Sequence, residues 1–181
     1  WHSHCCSDSA GNCLDLPERI HFETEAEPVK VYLSGGMEHA AGEGADWRKE
    51  MTAWLAHNLG HDVVDPVVES AKIVAEHGAE EYRDWKSADP EKFRQFIRKL
   101  IARDIRGVIE ESDYVICLWN ESVFKGGGTH GEVTLAYHFG IPVYLINTIP
   151  MEDLSGWIFS CASETFESFE ALHAYLKQQY G

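Results

Sequence analysis

The sequence is poor in positive charge and has no long apolar run. Fifteen Lys and Arg residues stand against thirty Asp and Glu, which gives a formal net charge of −15 at pH 7. An acidic surface repels phosphate backbones, so we expect no polynucleotide partner, although a small ligand without a chain of phosphates is not excluded. No apolar stretch approaches the roughly 18–20 residues that a membrane-spanning helix needs. We therefore expect no membrane partner either.

Cysteine is also scarce, with five residues in a chain of 181. Cys5, Cys6 and Cys13 lie near the N-terminus, whereas Cys117 and Cys161 lie in apolar segments. An odd number with this distribution argues against a secreted disulfide framework, and we predict that Cys117 and Cys161 are small buried hydrophobes. The chain does not start with a basic segment followed by an apolar one, so we favour a cytoplasmic location.

Residues 1–28 are predicted to be an N-terminal arm, polar and without a sustained period. Five side chains of the arm can bind soft metals: His2, His4, Cys5, Cys6 and Cys13. Their spacing contains no Cys-x-x-Cys pair and no second pair follows nearby, so a loosely ordered arm is favoured over a metal site. We expect neither a metal nor a cofactor.

From Val29 to the C-terminus, apolar segments of strand length alternate with segments of helical spacing. The predicted strands are residues 29–33, 61–66, 114–119, 143–146 and 157–160. The predicted helices are residues 46–59, 67–77, 90–109, 129–139 and a C-terminal helix marked by Phe166, Phe169, Leu172 and Leu176. This alternation predicts one α/β domain over residues 29–181 with a mostly parallel sheet.

Ligands of open α/β sheets bind beyond the carboxyl ends of the strands. Three segments follow predicted strands there: Ser34-Gly35-Gly36, Asp65-Pro66, and residues 120–132. Asp65 and Asn120 are therefore candidate ligand contacts.

Glu132 is the candidate nucleophile of the third segment. Gly126, Gly127 and Gly128 allow close approach of the backbone to a ligand, and Thr129 is expected to cap the helix that follows. We place Glu132 in the first turn, where the helix dipole favours its ionised form. The alternative is that Glu132 is only the capping-box partner of Thr129.

Asp104 is the second carboxylate of interest. It lies three residues from Ile101 and four from Val108, at the border of the apolar face of the long helix. An ion pair with Arg103 or Arg106 is the alternative explanation. Two carboxylates at one sheet edge suit cleavage of an acetal-type bond, whose transition state has oxocarbenium character.

Trp119 and Phe124 flank the glycine-rich segment and are candidates for stacking on an aromatic ligand, ahead of Tyr82 and Trp85. Packing in the core or in a lid is the favoured alternative for these aromatic residues. His130 is expected to cap the helix or to face solvent rather than to act as acid or base.

Three segments, spread over roughly residues 29–148, resemble the nucleoside 2-deoxyribosyltransferases and the related nucleoside and nucleotide N-glycosidases. They are Val31-Tyr32-Leu33-Ser34-Gly35-Gly36, then Asp104-Ile105-Arg106-Gly107-Val108-Ile109 with Ser112-Asp113, and Gly128-Thr129-His130-Gly131-Glu132 leading to Ala136 and Gly140-Ile141-Pro142. The resemblance implies a three-layer, Rossmann-like (flavodoxin-like) fold with a five-stranded parallel sheet between helices. It also implies a homodimer or a larger homo-oligomer.

The same resemblance implies residue roles and a nucleoside-like small-molecule substrate. Glu132 matches the glutamate that forms a covalent glycosyl intermediate, Asp104 the helix aspartate near the sugar hydroxyls, and Tyr32 the tyrosine that positions the glutamate. Ser34, Gly35 and Gly36 match the first loop. The implied reaction transfers the sugar to another base or to water. There are two alternatives: a non-catalytic nucleotide-binding module and a phosphoribohydrolase-type enzyme. The Gly-Thr-x-x-Glu loop also resembles a loop of the phosphoribohydrolases.

Two positions depart from the family pattern. Gly126 stands where the transferases have a base-contacting aspartate and the monophosphate hydrolases a serine. The first loop lacks the arginine that binds a 5′-phosphate, and Arg48 is the nearest positive residue. Because Glu38 and Glu43 would repel a phosphate, we predict an unphosphorylated or unusual substrate.

Overall fold

The computed structural model describes residues 28–181, so the predicted arm and its Cys and His residues lie outside the described part except for Pro28. Its centre is a five-stranded sheet of order β2-β1-β3-β4-β5 in which all pairs are parallel. The strands are β1 (Lys30–Gly35), β2 (Asp62–Val64), β3 (Tyr114–Trp119), β4 (Val143–Asn147) and β5 (Glu164–Phe166). The predicted α/β class and the five-stranded parallel sheet are confirmed.

Seven helices accompany the sheet in the described residues: α1 (Ala45–Leu59), α2 (Pro66–His77), α3 (Trp85–Ala88), α4 (Pro90–Ile109), α5 (Gly128–His138), α6 (Gly156–Cys161) and α7 (Phe169–Tyr180). Short 3₁₀ turns cover Ala41–Gly44, Glu121–Lys125 and Met151–Asp153. None of the described helices combines the length and the apolar character needed to cross a bilayer.

The helices form one layer on each face of the sheet. Met51 of α1 and Leu172 of α7 pack on one face, whereas Val108 of α4 and Val133 of α5 pack on the other. All six residues of β3 are buried, as expected for a strand covered on both sides. Cys117 and Cys161 are buried free thiols, which confirms the prediction for both.

The predicted last strand is wrong. Residues 157–160 lie inside α6, and the edge strand is β5, a few residues further along. In α6 the buried residues are Ile158 and Cys161, three apart, while Trp157 and Phe159 are exposed. A four-residue apolar run does not distinguish a strand from one turn of helix, and here burial follows the helical period.

Two helix starts also differ from prediction. Helix α1 begins at Ala45, one residue earlier than predicted, after Gly44 in a left-handed conformation. Helix α5 begins at Gly128, and no side chain caps it. The one-turn helix α3 lies between the predicted helices 67–77 and 90–109, where no element was predicted.

Candidate active site

The strand order places the candidate site at the switch point of the sheet. The chain leaves β1 for α1 on one face and leaves β3 for α5 on the other, so a crevice opens between the carboxyl ends of these neighbouring strands. The loops after β1 and β3 line this crevice, and α4 and α5 supply side chains to it from one side.

Glu132 turns its carboxylate towards β1. Its Oε2 accepts a hydrogen bond of 2.5 Å from Ser34 Oγ, and its Oε1 accepts one of 3.1 Å from the Tyr32 hydroxyl. Both partners are fully buried, and both lie on one face of β1 because they are two residues apart. The strand therefore fixes the position of the carboxylate.

The capping-box alternative for Glu132 is wrong. The N-cap of α5 is Gly127, and Thr129 is a buried residue of the helix itself, not its cap. Glu132 is the fifth residue of α5 rather than part of its first turn, so it lies where the influence of the helix dipole has weakened. Two hydroxyl donors, and not the helix end, favour its ionised form.

Asp104 on α4 lines the same cavity as Glu132. The predicted alternative, an ion pair with a neighbouring arginine, is not what the structure shows. Arg103 bonds Glu69 and Glu111, each at 3.0 Å, and Arg106 pairs with Glu110. Asp104 is thus left facing the cavity, partly buried, without a salt bridge in the described residues.

Burial raises the pKa of both carboxyl groups, but their neighbours differ. Burial, together with the negative charge of Glu132, raises the pKa of Asp104 to about 7. Burial also raises the pKa of Glu132, but the hydrogen bonds from Ser34 and Tyr32 and the charge of Arg48 oppose that rise. The two carboxyl groups therefore form a coupled pair, in which a negative charge on Glu132 favours the proton on Asp104. With a pKa of about 7, Asp104 can both donate and accept a proton near neutral pH.

The Tyr32 ring packs closely against the backbone of α4 at Gly107. A Cβ at position 107 would lie 3.0 Å from a ring carbon of Tyr32 and 3.1 Å from Val64, so any larger residue would press on the ring. Burial and the two nearby carboxylates raise the pKa of Tyr32 well above its usual value, which keeps its hydroxyl protonated and able to donate. Gly107 belongs to one of the three segments that carry the family resemblance, but its packing role is not visible in the sequence.

Sequence reasoning missed the role of Arg48, which is fully buried. Its guanidinium donates to the carbonyls of Leu33 (3.1 Å), Gly35 (2.9 Å), Glu43 (3.1 Å) and Gly44 (3.1 Å). Arg48 thereby ties the end of β1 to the loop that follows. A tryptophan-adjacent arginine in a helix gives no sequence signal of this role, because the accepting carbonyls belong to a loop whose path the sequence does not reveal.

Asp65 was predicted to contact the ligand, but its side chain serves the scaffold. It accepts a hydrogen bond from Val67 N at 2.9 Å, which caps α2, and it lies 3.8 Å from Arg48 Nε. Asp65 does not line either of the two cavities described below.

The carboxylates line the smaller of two adjoining cavities, which has a volume of about 190 Å³. The other predicted site residues in its wall are Gly35, Gly36, Gly126, Gly128 and Thr129. Tyr82, the weaker stacking candidate, also contributes to this wall. A larger depression of about 920 Å³ shares Gly36, His39 and Ser122 with it and contains Asn120 and Phe124.

Trp119, in contrast, is core. It is 1% exposed, lines neither cavity and packs edge-on against His130 at 4.8 Å between ring centroids. The packing alternative therefore holds for Trp119. Trp85 packs on Phe96 in the same way. His130, expected to cap or to face solvent, is half-buried against Trp119.

The acidic residues of the first loop are neutralised by cations from the segment around α3. Glu43 pairs with Arg83 at 2.5 Å, and Glu38 pairs with Lys86 at 3.3 Å. Arg83 itself lines the smaller cavity. The predicted repulsion of a phosphate by Glu38 and Glu43 therefore loses its basis, because each carries a counter-charge.

No protein-family model matches the chain, and no curated protein matches it significantly. The geometry of Glu132, Asp104 and their partners is therefore what indicates a function.

Proposed function

We propose that the protein cleaves the N-glycosidic bond of a nucleoside or a related N-glycoside through a covalent glycosyl intermediate on Glu132, and transfers the sugar to another base or to water. The observation that carries the proposal is the carboxylate of Glu132, held by Ser34 and Tyr32 in a cavity that also contains Asp104. The sequence resemblance to nucleoside 2-deoxyribosyltransferases and N-glycosidases leads to the same chemistry.

The first step forms a bond between a Glu132 oxygen and the anomeric carbon. The bond from that carbon to the base nitrogen breaks, and its electron pair goes to the nitrogen. Asp104 supplies the proton that the leaving base needs, which is consistent with its pKa of about 7. Ser34 and Tyr32 hold the carboxylate still, and this positioning lowers the entropic cost of the attack.

The second step reverses the first with a new partner. Water or a second base attacks the anomeric carbon, gives its proton to the carboxylate of Asp104, and releases Glu132. One carboxyl group thus acts first as acid and then as base, as in retaining glycosidases. Sugars with a 5′-hydroxyl and with a 5′-phosphate both remain as substrate classes, since the two acidic residues of the first loop are paired with Arg83 and Lys86.

A binding or sensing module that holds a nucleotide without cleaving it is the second candidate. Gly126 favours it, because the wall of the cavity lacks a side chain where the related transferases read the base. A Cβ at this position would meet no atom within 4 Å, so the space for such a side chain exists and is unused. Tight binding of an intact nucleoside without turnover over hours would favour this candidate.

The test is release of free base from a panel of nucleosides, with and without a second base, by wild type and Glu132→Gln. We expect Glu132→Gln to lose activity by at least roughly 10³-fold, because the amide is a poor nucleophile of the same shape. Glu152→Gln, at an exposed glutamate of the Met151–Asp153 turn, is the matched control and should keep full activity. Full activity of Glu132→Gln would exclude the mechanism.

Sedimentation of the wild type tests the homo-oligomer that the resemblance implies.

A further inference from the structure

We infer that the larger depression beside the carboxylates is a second binding site, which receives a flat, uncharged heteroaromatic group, and that Phe124 supplies its stacking surface. In the proposed reaction this group is the acceptor, or the part of the leaving group that extends beyond the sugar. The inference deepens the proposed function and depends on it for this assignment, but the binding itself can be measured without turnover.

The sizes of the two cavities support this division. About 190 Å³ around Glu132 and Asp104 is less than the roughly 300 Å³ at the lower end of ordinary small-molecule sites. The depression offers about 920 Å³ and meets the smaller cavity at Gly36, His39 and Ser122. A ligand whose sugar reaches Glu132 therefore continues into the depression, or meets a second molecule there.

The depression is built by three neighbouring strand ends. Residues that follow β1, β3 and β4 form its wall, which is where α/β sheets bind ligands. Gly36 makes the contact between two of these segments possible, since a Cβ there would lie 2.0 Å from Ser122 Oγ. The Ser122 hydroxyl is held by Asn120 Oδ1 at 2.5 Å, so this boundary between the cavities has a fixed shape.

The lining favours an aromatic group. Phe124 is 53% exposed, and it lies in the wall together with Trp47. The Trp47 ring packs against two neighbours. The Arg48 guanidinium lies 4.7 Å from its centroid, and the Phe169 ring lies 6.1 Å away between centroids. Phe124 and Trp47 thus place two aromatic side chains in one wall, and such side chains are suited to stacking on a heteroaromatic ring.

The charges of the lining disfavour an anion. Asp46 and Glu121 contribute two carboxylates, against one cation, Lys125. A phosphate in this depression would be repelled by the net negative charge of the wall, whereas a neutral ring would not be repelled. The predicted ligand class is therefore uncharged.

The test measures binding of free adenine, an uncharged heteroaromatic probe, to full-length protein by calorimetry. We expect saturable binding to wild type and to Glu132→Gln with equal affinity, since Glu132 lines the other cavity. Phe124→Ala should weaken binding by roughly 5- to 100-fold, the usual loss of a base–aromatic stack, and Phe124→Trp should retain it. Tyr137→Ala, at a 61% exposed aromatic residue outside both cavities, is the matched control and should bind as wild type.

Three results would overturn the inference: no saturable binding of adenine, equal affinity of Phe124→Ala and Tyr137→Ala, or a loss that follows Glu132→Gln instead of Phe124→Ala. Inorganic phosphate should not compete with adenine, and competition would contradict the predicted ligand class. If adenine binds as expected but no nucleoside is cleaved, the proposed function fails and the site stands. If cleavage depends on Glu132 but adenine does not bind, only this inference fails.

Discussion

Ser34 Oγ lies 2.5 Å from Glu132 Oε2, although the two residues are 98 positions apart in the sequence. The contact joins a fully buried strand residue to the second turn of α5. Tyr32, on the same face of β1, binds the other carboxylate oxygen at 3.1 Å. Two hydroxyl donors from one strand thus orient the carboxylate, and its reactivity should depend on them.

Loss of either hydroxyl should raise the pKa of Glu132. Ser34→Ala and Tyr32→Phe each remove a hydrogen bond to a charged acceptor, worth about 1.5–3 kcal/mol. The acidic limb of the pH–rate profile should therefore move to higher pH in both variants. Tyr114→Phe, which removes a buried hydroxyl bonded to His61 instead, is the control. An acidic limb that stays in place in both site variants would show that these hydroxyls do not set the ionisation of Glu132.

The protonated form of Asp104 should be needed for departure of the base. Because burial and Glu132 raise its pKa to about 7, activity on nucleosides with poor leaving groups should decline as the pH rises above that value. Asp104→Asn should lower kcat by roughly 10²–10⁴-fold and remove this alkaline limb. The measurement is kcat against pH for both proteins. An unchanged alkaline limb in Asp104→Asn would assign the titration to another group.

The raised pKa of Asp104 also predicts how stability changes with pH. A free aspartate titrates near pH 4, so between about pH 4 and pH 7 the folded protein binds this proton more tightly than the unfolded chain does. The contribution of Asp104 to stability is therefore full below about pH 4 and declines as the pH rises towards 7. Urea unfolding of wild type and Asp104→Asn at pH 5 and pH 7 isolates the effect. The advantage of the variant should grow with pH, and a constant difference would contradict the shift.

Gly107 should be required for the position of Tyr32. Gly107→Ala places a methyl group 3.0 Å from the Tyr32 ring and 3.1 Å from Val64, so the ring or its neighbour must shift by a few tenths of an ångström. We expect a loss of about 1–3 kcal/mol in stability, the usual cost of overpacking, together with reduced kcat. Gly131→Ala on α5 is the control, because its Cβ would meet no atom within 4 Å. It should leave stability unchanged or raise it by about 0.4–1 kcal/mol. Equal effects of the two substitutions would argue against a positioning role for Gly107.

The sequence predicts the fold better than the site because the two depend on different kinds of information. The buried apolar run of β3 is a local signal, and the strand lies at residues 114–119 as predicted. Candidates at strand ends were identified by position alone, which does not say where a side chain points. The Asp65 side chain caps α2 and lies near Arg48, whereas the Trp119 side chain is buried in the core.

The partners of Glu132 are the clearest example of this limit. The Thr-x-x-Glu pattern fits a capping box as well as a nucleophile, and only the path of β1 past α5 separates the two. Arg48 is a second example, since its burial depends on four carbonyls brought together by the loop after β1. Long-range contacts of this kind leave no periodic trace in a sequence.

The most direct test of the central claim is a search for the covalent intermediate. A nucleoside that carries fluorine at the 2′-carbon slows both steps by destabilising the oxocarbenium-like transition state, so the intermediate should accumulate after rapid acid quenching. Mass spectrometry of the digested protein should find the mass of the fluorinated sugar on the peptide that contains Glu132, and on no peptide of Glu132→Gln. A wild-type protein that releases base from the unmodified nucleoside yet never carries the sugar on Glu132, or carries it on another residue, would contradict the account.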